Sequence, residues 1–133
     1  MSEEFGLLDT SVIIDLNEIP QEELPLQILV SSLTIAELVA GVSNKLSDGV
    51  RAIRLGSINS LRTSEGVIPF DDECAMKYAS VAAAVVSFGR KPRGKRAVDY
   101  LIATTAAHLG IPLYTRNQKD FEGLDGIVEI VSV

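Results

Sequence analysis

The chain has 133 residues, of which 47% are hydrophobic and 23% charged, and a formal net charge of −6. That composition suits one globular domain over residues 1–133 and excludes a disordered chain. The acidic balance excludes a passive nucleic-acid coat, but not an enzyme whose acids gather around cations, and the single cysteine, Cys74, excludes an internal disulfide or a four-cysteine zinc site.

Ser2-Glu3-Glu4 is acidic where a signal peptide would be basic. The most apolar stretch, residues 79–88, falls short of the roughly 20 residues that span a bilayer. A soluble, cytoplasmic protein with no membrane partner is expected, and an unpaired cysteine fits a reducing compartment.

In chain order, residues 5–8 read as a buried strand, and a helix starts near Ser11. Residues 19–25 form a loop with two prolines. Residues 27–33 are a second strand. Thr34 opens a helix through Ala40 that ends over residues 41–44. Residues 48–61 carry Val50, Ile53, Leu55, Ile58 and Leu61 at roughly helical spacing. Residues 67–70 form a short strand whose proline favours a strand end. Asp71 and Asp72 then begin an Ala-rich helix reaching Phe88, and residues 89–94 are a loop. A helix over residues 97–109 stops at Gly110. Residues 111–115 are a strand, 117–121 a helical turn and 127–131 a last strand. This alternation predicts an α/β fold, a sandwich with a central, mainly parallel sheet flanked by helices. Such sheets bind ligands at the carboxyl ends of their strands.

Four acids stand near helix starts, and each has an ordinary explanation. Thr34-Ile35-Ala36-Glu37 has the pattern of a capping box, which taken alone favours a cap role for Glu37. Asn117-Gln118-Lys119-Asp120 is similar. Asp99 lies in a first turn, where an acid meets the helix dipole, and Asp9 lies between strand and helix, where Asp is a common turn residue. Together they are harder to dismiss, because at least three of these starts follow strands and share one rim. Asp99 also stands among core-type residues, where a carboxylate is costly unless paired or metal-bound. Acids meeting at one rim repel one another and raise some pKa values. A divalent cation resolves the conflict, and Mg²⁺ suits carboxylate oxygens and phosphates. Such an ion can activate water for in-line attack on a phosphodiester. Thr10 and Ser11 either orient Asp9 and touch phosphate or simply cap the helix, while Thr115 and Asn117 can bond the acids or a bound water. His108 reads as a packing or surface residue.

Leu7-Leu8-Asp9-Thr10-Ser11-Val12, Thr34-Ile35-Ala36-Glu37-Leu38, the run from Asp99 to Ala106, and the run from Leu113 to Phe121 resemble, in order, the four motifs of PIN-domain nucleases, the last in its VapC-toxin form. The resemblance implies a PIN-like three-layer sandwich and a metal-dependent endoribonuclease. It further implies the toxin role in a VapBC-type pair, a VapB-like antitoxin, and a homodimer that can enter a larger toxin–antitoxin assembly. It carries Asp9, Glu37 and Asp99 over as metal-binding catalytic acids. Many relatives place the fourth acid where Asn117 stands here, and the VapC pattern places it at Asp120, so the resemblance implies Asp120 as the fourth acid with Asn117 in support. Mg²⁺ is the expected ion, with Mn²⁺ as substitute, one ion held tightly and a second more weakly.

Arg90, Lys91, Arg93, Lys95 and Arg96 place five cations in seven residues. Such runs are often a solvated loop. Here the run leads into the helix of Asp99, so an RNA-phosphate clamp is expected, joined by Arg116 of the fourth motif, with the added effect of lowering the pKa of Asp99. With no Trp, an aromatic stacking platform is not expected. The apolar faces of residues 79–88 predict a helix enclosed in the core, with any surplus covered by a second subunit.

Two rival readings fit less well. A phosphoacceptor signalling domain would use Asp9, Thr115 and Lys119 but needs paired acids after the first strand, where Thr10 and Ser11 stand. A haloacid-dehalogenase-type phosphatase would want Asp at position 11. A non-catalytic PIN-like module that binds RNA or protein is the other alternative, and the presence of all four acids opposes it.

Overall fold

The computed structural model describes residues 4–133, so Ser2 and Glu3 of the N-terminal reading lie outside the described residues. Five short apolar runs become strands: β1 (Phe5–Leu8), β2 (Gln27–Ser31), β3 (Gly66–Ile68), β4 (Leu113–Thr115) and β5 (Ile130–Ser132). They lie in the order β3-β2-β1-β4-β5, and every pairing is parallel. The α-helices are α1 (Thr10–Ile14), α2 (Ser32–Ala40), α3 (Asp48–Ser64), α4 (Asp72–Ser87) and α5 (Lys95–Leu109). No helix among the described residues is long and apolar enough to cross a membrane.

Side chains alternate across a strand, and that alternation builds two cores. Leu7 of β1 and Leu113 of β4 point to one face, where they join Val81 and Val85 of α4 and Tyr100, Ile102 and Ala103 of α5. Their neighbours Leu8 and Tyr114 join a second cluster with Val12 of α1, Ile19 and Leu24. The central strands are thus apolar on both sides, as a parallel sheet covered on both faces requires. The expected three-layer α/β sandwich is the one observed.

Several boundaries move for identifiable reasons. β2 stops at Ser31 rather than residue 33, because Ser31 turns to cap α2 and its Oγ accepts from Leu33 N at 3.1 Å. β4 starts at Leu113 rather than residue 111. Gly110, left-handed at φ 69°, ends α5, and Ile111 N still bonds Ala106 O at 3.1 Å. β5 starts at Ile130 rather than residue 127, because the amides of Ile127 and Val128 turn back to Leu124 O at 3.0 and 3.3 Å. The core-enclosed reading of residues 79–88 is corrected. Val81 and Val85 are fully buried, whereas Val86 is 62% and Phe88 49% exposed. On α3, Val50, Ile53 and Leu55 are likewise exposed, Ile53 at 71%, while Ile58 and Leu61 are half-buried.

Strand order positions the site. From β1 the chain moves to β2 and β3 on one side, then returns through α4 and α5 to β4 and β5 on the other. The connections leaving β1 and β4 therefore diverge, and a crevice opens at the carboxyl ends of these neighbours. The two strands approach closely at Gly6, where an added Cβ would lie 2.5 Å from the Tyr114 ring and 2.8 Å from Pro25 Cγ. Gly6→Ala should therefore destabilise the fold by about 1–3 kcal/mol. Gly56, inside α3 with open space around it, should do the opposite, with Gly56→Ala stabilising by about 0.5–1 kcal/mol. Urea unfolding of the two variants beside the parent checks both signs.

Candidate active site

Asp9 is the first residue after β1 and caps α1, with extended backbone angles of φ −78° and ψ 174°. Its Oδ1 accepts from Val12 N at 3.2 Å and from the Ser11 hydroxyl at 2.5 Å. Its own amide continues the sheet by donating to Tyr114 O at 3.0 Å. The cap role expected of Asp9 is real, but it falls on one oxygen and leaves the carboxylate fixed at the mouth of the crevice, only 4% exposed.

The capping-box reading of Glu37 is overturned. The cap of α2 is Ser31, and Thr34 is buried within the helix. Glu37 therefore lies beyond the first turn. Its Oε1 accepts the hydroxyl of Thr10 at 2.5 Å, and Thr10 Oγ1 is 3.4 Å from Thr34 Oγ1. A bond between residues 27 positions apart thus ties the start of α1 to α2.

The dipole reading of Asp99 fails for a similar reason. α5 begins at Lys95 behind Gly94, two residues earlier than expected, and its first turn contains no acid. Asp120 lies in a 3₁₀ turn, Gln118–Phe121, whose preceding residue Asn117 makes no side-chain cap bond. Instead Asn117 N donates to Oγ1 of the buried Thr115 at 3.0 Å.

Asp9, Glu37, Asp99 and Asp120 line one cleft of about 300 Å³. Thr10, Ser11 and Asn117 line it with them, as do two cations, Lys95 and Arg116. Sequence reasoning missed Asp15, which also lines the cleft and pairs with Arg116 at 3.6 Å. It equally missed the Thr34 hydroxyl behind Thr10. No local pattern distinguishes either residue from an ordinary helix residue.

The basic run divides. Lys95 reaches the cleft. Arg90 does not, because its guanidinium donates to Lys119 O at 2.8 Å, faces Glu122 at 3.8 Å and lies 5.3 Å from the centre of the Phe88 ring. Arg90 ties the loop to the segment after β4. Lys91, Arg93 and Arg96 are exposed outside the cleft lining.

Among the described residues, none of the four carboxylates forms an ion pair. The consequence falls on Asp99, whose carboxyl is pushed from 3.8 up to about 6 by burial first, then by Glu37, Asp120 and Asp9. Lys95 of the basic loop lowers this pKa, as expected, but is outweighed, so the net shift is upward. No three of these acids bring oxygens within 4.8 Å of one another among the described residues.

Comparison with known proteins places this arrangement in context. The PIN domain family model matches residues 6–127. Ribonuclease VapC5 of Mycobacterium tuberculosis is 33% identical, over 96% of this chain and 95% of its own. A crystal structure of VapBC-5 from the same organism, a member of the VapBC family of toxin–antitoxin systems, superimposes with a TM-score of 0.76 at 33% identity, covering 98% of this chain and 99% of that one. The crystal structure of FitAcB from Neisseria gonorrhoeae superimposes with a TM-score of 0.73 at 30% identity, covering 96% of each chain.

The raised pKa of Asp99 has a stability sign. Between 3.8 and about 6 the folded protein holds this proton more tightly than the unfolded chain does. Stability without metal therefore falls as pH rises through that window and stays reduced above it. Asp99→Asn should raise metal-free stability at neutral pH by about 1 kcal/mol, after discounting for solvent screening, and flatten the slope across the window. Chemical denaturation in a pH series with EDTA measures both effects.

Proposed function

The chain belongs to the PIN domain family, and from that premise we propose that it is a divalent-metal-dependent endoribonuclease and the toxin of a VapBC-type toxin–antitoxin pair. The observation that carries this reading is the convergence of Asp9, Glu37, Asp99 and Asp120, from four separate segments, on one cleft where, among the described residues, none of them is held in an ion pair. Structures do not hold unpaired acids together without some return. A bound cation supplies that return, and the all-oxygen donor set suits Mg²⁺, with Mn²⁺ as the alternative.

Asp9, Glu37, Asp99 and Asp120 are the residues that would hold the ion, with Asp120 rather than Asn117 as the fourth acid. When bound, the ion supplies Lewis acidity toward a phosphodiester and offsets the charge of the site. The chain's own groups do the rest. Ser11 fixes the rotamer of Asp9 and Thr10 that of Glu37, so these oxygens are oriented before substrate arrives. Asp99, with its carboxyl raised to about 6, is mostly ionised at neutral pH and would offer the ion a carboxylate. Lys95 and Arg116 flank the acids and would take the phosphates on either side of the scissile bond. Lys91, Arg93 and Arg96 form an outer track for the RNA backbone.

Cellular RNA is the proposed substrate, a cytoplasmic location fits that reading, and residues 1–133 are read as one domain. A VapB-like antitoxin is the partner, by likeness to the VapBC structures. The uncovered apolar residues of α3 and α4 would be shared between a second copy of the chain and that antitoxin.

RNA cleavage should be abolished by EDTA and restored by excess Mg²⁺ or Mn²⁺. Asp9→Asn or Asp99→Asn should lower its rate by at least about 100-fold. Undiminished cleavage by both variants would sink the nuclease reading and leave a module that only binds RNA or protein. Lys95→Gln with Arg116→Gln should weaken RNA affinity and reduce the slope of its salt dependence by about 1–2, measured by filter binding with EDTA present. Sedimentation at micromolar concentration should show a dimer, and a monomer there would remove the homodimer from the proposal.

A further inference from the structure

α4 and α5 form an antiparallel pair joined by residues 88–94, so the start of α4 lies beside the end of α5. At that end stands a group of donors unlike those of the cleft. One ligand atom each from Asp71, Cys74 and His108 lies within 4.8 Å of the other two. Cys74 is buried at 1% exposure, His108 is partly buried and Asp71 is exposed. A fourth candidate is adjacent, since Glu73 Oε2 is 3.7 Å from His108 Nε2.

We propose that Asp71, Cys74 and His108 form a second metal site, selective for Zn²⁺, that staples the end of α5 to the start of α4. The donor chemistry sets the class of ion. A thiolate, an imidazole and a carboxylate are the mixed soft set that zinc takes in four-coordinate sites, and one that Mg²⁺ avoids. Bond lengths of about 2.0–2.3 Å put ligand atoms about 3.5 Å apart in a tetrahedron. Since the ligand atoms all lie within 4.8 Å of one another, the group needs to contract by at most about 1.3 Å, which side-chain rotation can supply. Part of the site is already fixed. Asp71 caps α4 by accepting from Cys74 N at 2.9 Å, which holds the two donors together. The fourth position falls to Glu73 or to water.

Loading follows a simple balance. The Cys74 S–H bond breaks, the proton leaves to solvent, and the sulfur electron pair forms the bond to the ion. His108 binds as the neutral imidazole, so its contact with Glu73 is replaced. The site is distinct from the acidic cleft, because His108 lies nine residues along α5 from Asp99, about 14 Å at helical rise.

Co²⁺ added to the metal-free full-length protein tests this, because Cys74 is the only cysteine and any thiolate signal reports on this site alone. The expected result is a saturable thiolate-to-Co²⁺ charge-transfer band in the near ultraviolet, with tetrahedral ligand-field bands in the visible, displaced by one equivalent of Zn²⁺. His108→Gln should weaken the apparent affinity at least about tenfold, and Asp71→Asn, which preserves the cap, should weaken it as well. Cys74→Ser should abolish the band while RNA cleavage with Mg²⁺ continues, and Asp99→Asn should leave the band intact. Absence of the band at millimolar Co²⁺ would overturn the proposal, as would a band unchanged by His108→Gln. Neither readout relies on replacing the buried cysteine, and neither depends on nuclease activity.

Discussion

The repulsion among four carboxylates at the carboxyl ends of β1 and β4 is the constraint around which this structure is arranged. Each acid is delivered by a different segment, and none is neutralised by a cation within ion-pair distance among the described residues. Part of the cost is visible at Asp99, whose carboxyl is pushed from 3.8 up to about 6 by burial first and then by Glu37, Asp120 and Asp9. The rest of the fold must hold this arrangement against its tendency to spread. Apolar packing on both faces of the sheet does so, since Leu7 and Leu113 anchor one side and Leu8 and Tyr114 the other.

Hydroxyl groups do the fine positioning. Ser11 donates to Asp9 and accepts from the Arg116 amide at 3.1 Å, so a single side chain links the loops after β1 and β4. Thr10 donates to Glu37 and links α1 to α2. Thr115, buried at the end of β4, accepts from Asn117 N and sets the turn that carries Asp120. Each bond is worth only about 1 kcal/mol net. Their value is geometric, because each removes rotamer freedom from a neighbouring carboxylate or its loop before any ion arrives.

Charge is distributed with the same economy. The protein is acidic overall, yet two cations border the cleft, and the remaining ones of the basic run divide between structure and surface. Arg90 closes the loop onto the segment after β4 through Lys119 and Glu122. The α4–α5 hairpin then carries two ends of different chemistry: a carboxylate and a cation, Asp99 and Lys95, near the start of α5, and sulfur, nitrogen and oxygen together near its end.

Much of this was legible in the residues. Apolar runs of strand length gave the five strands, and their alternation with helices gave the parallel sheet, because local burial pattern is written directly into side-chain order. The four acids stood out through their position after strands and within ordered motifs. Local signals misled where a neighbouring residue did the same job better. Ser31 took the cap that Thr34 was expected to supply, so β2 ended early and Glu37 was freed from capping. A turn held by Leu124 O delayed β5.

The sequence by itself determined which residues could be strand, helix and ligand, since those properties depend on neighbours a few positions away. Only the tertiary structure decided which acids share a cleft, that Asp99 is driven toward its protonated form, that Arg90 is spent on the fold, and that His108 comes within reach of Cys74 and Asp71. Those outcomes depend on distances between residues up to about a hundred positions apart, as Ser11 and Arg116 are. Such distances are set by strand order and helix packing, and strand order leaves no mark on any short stretch of the chain.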